Sequence, residues 1–272
     1  MHKTVMAVML VLVGSAFADS ATWVTLLEDN FDTYPTGPPP VPPWQDSYRN
    51  NMGLPTYTRE QAAALGVNIT IADPSGSGDK HLRLVDNYGA MSSRIDGSLS
   101  SPASHVVAEF YLMRENSIGR SYEIFLRGAT GGDFCIWFRD DGWIALQAPP
   151  VVPGNPNWIH ELMPYVGDTW YYMRRELDCL ADLGSFYVEE VGNPSNSASF
   201  SVGQIAWEPY NTAIHSIAIC TTYTGSSTDG SCVDNIKVSG IGPLTPVPTP
   251  SAVLLGVMGL GMVAWVRKRR MA

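Results

Sequence analysis

Short runs in which apolar and polar residues alternate fill most of this chain, and clusters of Gly, Asn, Asp and Pro separate them. The runs place strands at 23–27, 67–71, 81–85, 105–113, 121–127, 133–139, 143–147, 169–176, 185–190, 199–205, 213–221 and 232–238. The alternation is plainest at 105–113. Val106, Ala108, Phe110 and Leu112 share one face there, and His105, Val107, Glu109 and Tyr111 share the other. Asp140-Asp141-Gly142 reads as a tight hairpin turn between two of the runs. One helix is signalled, by the capping box Thr58-Arg59-Glu60-Gln61 ahead of Ala62, Ala63, Ala64 and Leu65, with Gly66 to end it. The proline-rich segment 33–42 cannot sustain a ladder, because proline has no N–H, and should run over the surface. No gap between strands has helical period, which argues against an α/β fold. The pattern predicts an all-β, two-sheet antiparallel sandwich over residues 19–243.

The two ends depart from that texture. His2 and Lys3 precede the apolar stretch from Val5 to Val13, and Ala16-Phe17-Ala18 follows it. These are the parts of a secretory signal over residues 1–18, cleaved between Ala18 and Asp19. Near the other end, a Pro-rich linker at 244–250 leads into an uncharged apolar run at 251–266, then a basic tail at 267–272 with Arg267, Lys268, Arg269 and Arg270. As a helix the run would be about 24 Å long, against a hydrocarbon core of about 30 Å. The stems of Arg267 and Lys268 can snorkel to make up the difference. The expectation is a transmembrane helix with its basic tail in the cytoplasm and the β domain outside.

Charge supports export. All 26 acidic residues lie between Asp19 and Asp234, where twelve Lys and Arg leave a formal −14. Such a segment repels nucleic acid, whose phosphates need clustered cations. It suits an exported protein or one that gathers divalent cations. Four cysteines in an oxidising compartment suggest two disulfides. Cys220 and Cys232 bracket a Ser/Thr/Gly loop and form the expected local pair, leaving Cys135 and Cys179 to join two neighbouring strands. With no CxxC motif and no His close to a Cys, zinc is not expected.

Candidate binding chemistry is sparse. Asp29, Asn30 and Asp32 open the domain, and Asp234 with Asn235 close it. Pairing of the terminal strands would gather these oxygen donors into a possible structural Ca2+ site. Trp143, Trp158 and Tyr165 lie beside Asn155, Asn157 and His160 and could form a sugar-binding platform, with the loop 148–156 as its rim. His160-Glu161 begins an HExxH zinc motif, but Pro164 stands in its last position. Gly259, Gly261 and Ala264 mimic a dinucleotide fingerprint inside the apolar tail, where they read as small residues of a membrane helix. There is neither a P-loop nor a GxSxG elbow.

Two resemblances extend this reading. The tail, with Val247-Pro248-Thr249-Pro250, the apolar run and the basic cluster, resembles a PEP-CTERM sorting segment. That likeness implies processing by a membrane exosortase, although the eponymous Pro-Glu-Pro is replaced here. The body resembles concanavalin A-like (laminin G-like) jelly-roll domains in EDNFDTY, HLRL, FCIWFRDDGWIAL, TWYYMRRELDCLADLGSFYVEEVG and VDNIKV. That group includes carbohydrate binders, adhesion modules and glycanases. Its retaining glycanases are similar in carrying Glu-x-Asp-x-x-Glu on one strand. The stretch from Glu176 through Asp178 offers the first two acids, but Ala181 stands in place of the third, with Asp182 one residue late. The expectation is an exported, membrane-anchored or exosortase-processed surface protein whose non-catalytic sandwich serves carbohydrate binding or matrix structure. The alternative is a polysaccharide-active hydrolase of the same fold.

Overall fold

A computed structural model describes residues 22–50, 56–86, 91–115, 122–128, 132–139, 141–147, 159–181, 183–203, 213–221 and 230–241. The signal, with Ala18 and Asp19, and the tail from the linker onward lie outside the described residues, as do Asp140, Trp158 and Asp182. In chain order the elements are β1 (Val24–Asp29), β2 (Trp44–Asn50), β3 (Thr56–Tyr57), α1 (Arg59–Ala64), β4 (Val67–Ala72), β5 (His81–Asp86) and β6 (Met91–Ala103). There follow β7 (His105–Arg114), β8 (Tyr122–Gly128), β9 (Gly132–Phe138), β10 (Trp143–Gln147) and β11 (Ile159–Pro164). The last are β12 (Trp170–Asp178), β13 (Leu183–Glu190), β14 (Asn193–Gly203), β15 (Ile214–Thr221) and β16 (Gly230–Ile241).

The strands form two antiparallel sheets packed face to face. Sheet A has the order β14-β13-β12-β7-β16-β5-β4, with β1 also paired to β16. Sheet B has the order β11-β10-β9-β8-β15-β6-β2-β3. Half of the strand pairings join strands that are not consecutive in the chain, as sandwiches built from crossing connections require. The alternation read at 105–113 holds: Val106, Ala108, Phe110 and Leu112 are almost fully buried between the sheets. Opposite them, sheet B contributes Ile124, Leu126, Ile217 and Ile219, all without exposed surface. Helix α1 forms where expected, with both halves of the Thr58–Gln61 capping box in place.

Four strands and part of a fifth lie outside the expected runs: β2, β3, β6, β11 and the first half of β14. Strand β6 is rich in Ser, and its burial is partly polar. Ser93 is fully buried and hydrogen bonds the Thr221 hydroxyl at 2.8 Å. On β2 the apolar signal is only Trp44 and Tyr48. Trp44 is nonetheless fully buried, its indole N–H donating to Asp29 Oδ2 at 2.7 Å. The same carboxylate accepts from the Tyr34 hydroxyl at 2.8 Å and from the Phe31 N–H at 2.8 Å. Phe31 is held at φ +61°, a conformation costly for a bulky side chain, while its buried ring packs 5.6 Å from that of Trp44.

The expected disulfides do not form among the described cysteines. Cys220 lies on β15 opposite Arg94 and Glu123 of sheet B, whereas Cys232 lies on β16 opposite Arg83 and Met113 of sheet A. Each alternates with residues that point into the core, so the two thiols face opposite sides of the sandwich. Cys232 sits instead 3.8 Å from Glu115 Oε1, and burial pushes its thiol far above the usual range. Cys135 belongs to β9 of sheet B and Cys179 follows β12 of sheet A, so these are not neighbouring strands. The Cys135 side chain is outside the described residues. No helix among the described residues is long and apolar enough to cross a membrane.

Candidate functional site

The outward face of sheet A is where aromatic rings and carboxylates converge. On β12, Tyr171, Met173, Arg175 and Leu177 point inward and are buried, so Tyr172, Arg174, Glu176 and Asp178 point out. Pairing in register places Tyr111 of β7 beside Tyr172, and Glu109 beside Arg174. On the other side of β12, Glu189 of β13 lies beside Tyr172, and Tyr187 lies beside Arg174.

Three tyrosines thereby form a row across β7, β12 and β13. Ring centroids are 5.5 Å apart for Tyr111 and Tyr172, and 6.3 Å for Tyr172 and Tyr187. The Tyr172 hydroxyl donates to Glu109 Oε1 at 2.6 Å, and that of Tyr187 donates to Glu189 Oε2 at 2.5 Å. Burial and then the Glu109 hydrogen bond raise the Tyr172 phenol; the Glu189 hydrogen bond raises that of Tyr187. Both hydroxyls therefore stay protonated, and both carboxylates keep lone pairs free toward solvent. On the β1 side the row opens into a groove of about 750 Å³ that Glu28, Asn30, Thr33, Asn235 and Lys237 also line.

At the far end of β12 is a second hollow, of about 340 Å³, lined by His105, Glu176, Asp178, Leu183, Ser185 and Ser201. His105 Nε2 lies 2.9 Å from Glu176 Oε1, and Arg174 Nη2 donates to Glu176 Oε2 at 2.9 Å. The edge of the Trp23 ring lies against His105, with centroids 4.7 Å apart. Glu176 and Asp178 do share a face, as the Glu-x-Asp pattern predicts. Burial alone would raise the Glu176 carboxyl, but the hydrogen bonds from His105 and Arg174 outweigh it and hold the group below the usual range. That suits a nucleophile, but the acid/base position of the pattern is Ala181, which has no carboxyl. Asp178 is engaged in the turn that follows β12, where its Oδ1 accepts the N–H groups of Leu180 and Ala181 at 3.0 and 2.9 Å.

The other expected sites fare differently. Tyr165 is no platform. Its ring is buried edge-on against Phe138, with centroids 4.9 Å apart, and its hydroxyl donates to the Arg139 carbonyl at 2.7 Å. Its backbone N–H bonds the Gly142 carbonyl, so the residue braces the hairpin turn between β9 and β10. Trp143 is half-buried opposite Pro164 on β11, while Trp158 is outside the described residues. Neither Trp143 nor Tyr165 joins the tyrosine row.

Strands β1 and β16 do pair, with Asp29 opposite Ile236, and they draw the acidic donors to one corner. Burial pushes Asp234 up to about 6, with Asp79, Asp32 and Asp29 adding to the shift. Both Asp29 oxygens already accept hydrogen bonds, however, and Asp32 Oδ1 accepts from the Lys80 N–H at 2.9 Å. The carbonyls of Asp32 and Tyr34 accept from Lys80 Nζ at 2.8 Å each. An ammonium thus supplies the positive charge here. Among the described residues no three acidic, His or Cys side chains converge as a metal cage. As arranged, the corner does not fit the six to eight oxygens that calcium takes.

The strand 105–113 already showed His105, Glu109 and Tyr111 on its polar face. The same period-2 reading of 170–178 would have added Tyr172, Arg174, Glu176 and Asp178. Which strands are neighbours was not legible, and the row exists only because β7, β12 and β13 are adjacent.

No protein-family profile and no curated protein matches the sequence. Among solved structures, lectin II from Ulex europaeus superposes with a TM-score of 0.51 at 6% identity, over 80% of this chain and 100% of that one. A sialidase superposes with a TM-score of 0.54 at 12% identity, over 79% of this chain but only 18% of its own length. At such identities the likeness is one of fold. The chain is an all-β protein of two packed antiparallel sheets, with the architecture of a concanavalin A-like jelly roll.

Proposed function

We propose that this is an exported, surface-held protein whose sandwich binds carbohydrate without transforming it, and that the ligand lies along the tyrosine row of sheet A. The observation that carries the reading is the row itself, in which each of two phenol hydroxyls is fixed on a carboxylate. Tyrosine faces accept the C–H faces of sugar rings, and half-satisfied carboxylates accept sugar hydroxyls in strong charge-assisted hydrogen bonds. The lectin and the sialidase that share the fold are proteins named for sugars, which is in keeping with this assignment. Against hydrolysis stands Ala181, which occupies the acid/base position of the glycanase pattern and leaves Glu176 and Asp178 without their proton donor. Export through the N-terminal signal, retention by the apolar tail and processing near Val247-Pro248-Thr249-Pro250 complete the proposal. They would place the sandwich on the surface or in the matrix outside the cell.

The test is a glycan array followed by titration. Tyr172→Ala should weaken binding of any recognised glycan about tenfold or more, with the circular dichroism spectrum unchanged. Failure of the folded protein to bind any glycan would sink the reading. Release of reducing ends that stops in Glu176→Gln would overturn its non-catalytic part.

A further inference from the structure

Resting on that carbohydrate-binding reading, we infer that the ligand is a polysaccharide carrying free amines, of the glucosamine type, rather than a neutral or uronate polymer. The inference comes from the charge around the row. Glu189 lies beside Tyr172 in register, and Glu109, between Arg174 and Lys237 in register, reaches the Tyr172 hydroxyl from the other neighbouring strand. The partner of each is a tyrosine hydroxyl, and among the described residues neither forms an ion pair. The cations on the same face are engaged with other acids. Arg174 is bonded to Glu176, Lys237 has its ion-pair contact with Glu28 at 4.0 Å, and His105 lies against Glu176 and Asp178. The face therefore offers acceptors and negative charge to a ligand, and few unengaged donors.

An alternating sheet surface of this kind discriminates by charge complementarity. A uronate would bring carboxylates against Glu109 and Glu189, with no unengaged cation to receive them. A neutral sugar would satisfy the acceptors with its hydroxyls but bring no charge to meet the carboxylates. An ammonium on the sugar ring would sit against a carboxylate while the ring stacks on tyrosine, where the aromatic face adds its own attraction for a cation. The formal −14 of the segment between the two termini would speed the approach of such a polymer and slow that of a polyanion.

The test compares glucosamine oligomers with their N-acetylated counterparts, which keep the sugar backbone and remove the charge. A neutral β-glucan and alginate serve as further arms, with the purified full chain as the binder. The glucosamine oligomer should bind about tenfold more tightly than the acetylated one at low salt. That preference should shrink to about two- or threefold in 0.5 M salt and in the double variant Glu109→Gln/Glu189→Gln, which keeps the tyrosines. Equal affinity for charged and acetylated oligomers would overturn this inference and leave the carbohydrate-binding reading standing. So would tighter binding of alginate, or a preference that survives the double variant. Absence of binding in every arm would remove both.

Discussion

At the scale of single residues, the fold is fixed by a few wholly or partly buried polar groups with several partners each. Asp29 is one, holding Phe31, Tyr34 and Trp44 with a single carboxylate. Glu115 is another. It receives Arg83 through both oxygens at 2.5 Å and the Gly230 N–H at 2.7 Å, tying the end of β7 to β5 and β16. Burial alone would raise the Glu115 carboxyl, but Arg83 and the Gly230 N–H outweigh it and hold it below its ordinary value. A depressed carboxylate stabilises the fold above its unfolded pKa, and that contribution is lost as pH falls through the folded one. Glu115→Gln should therefore cost about 1–2 kcal/mol at pH 7, after allowance for partial exposure. The gap to the parent should close as the pH falls below about 4. Melting curves across pH check this, and a gap that stays constant would show that the charge contributes nothing.

At the scale of elements, what was legible depended on how each strand buries its inward face. Strands β7 and β12 bury that face mostly with apolar side chains, so period two is visible in the residues themselves. Strand β6 buries Ser93, Gly97 and Ala103 beside Ile95, and the edge strand β14 buries none of its described residues, so no long apolar run announces either. Gly97 of β6 shows why. A Cβ at that position would lie 2.5 Å from the Trp44 ring, and Trp44 has no room to yield. The small residue that hides the strand is the one that lets β2 cover it. Gly97→Ala should destabilise the domain by about 1–3 kcal/mol, visible as a lower denaturant midpoint with an unchanged slope. The cysteine pairing failed for a related reason. Closeness in sequence between Cys220 and Cys232 gave no hint that the chain changes sheets between them. The expected sugar platform at Trp143, Trp158 and Tyr165 was drawn from aromatics near loops, whereas Tyr165 packs inside and the row lies on flat strand surface.

At the scale of the whole molecule, the proposed tether sets the setting in which the tyrosine face works. The intact chain should sediment with membranes, and deletion of residues 251–270 should release the sandwich with its glycan binding intact. Mass spectrometry of secreted material ending near Pro250 would show the sorting motif in use, and a deletion chain that still sediments with membranes would remove the anchor. A surface-held binder gains avidity when many copies meet one polymer, so weak single contacts suffice.

The position of β16 has one more consequence. This strand lies inside sheet A and pairs with β7, β5 and β1 at once, joining parts of the chain about 210 residues apart. Until Gly230–Ile241 has emerged, sheet A is split in two, and the inner faces of β5 and β7 have no strand between them. A nascent chain would thus stay open through nearly all of its synthesis. That delay is in keeping with the proposed export, in which a chain threads a channel before it folds.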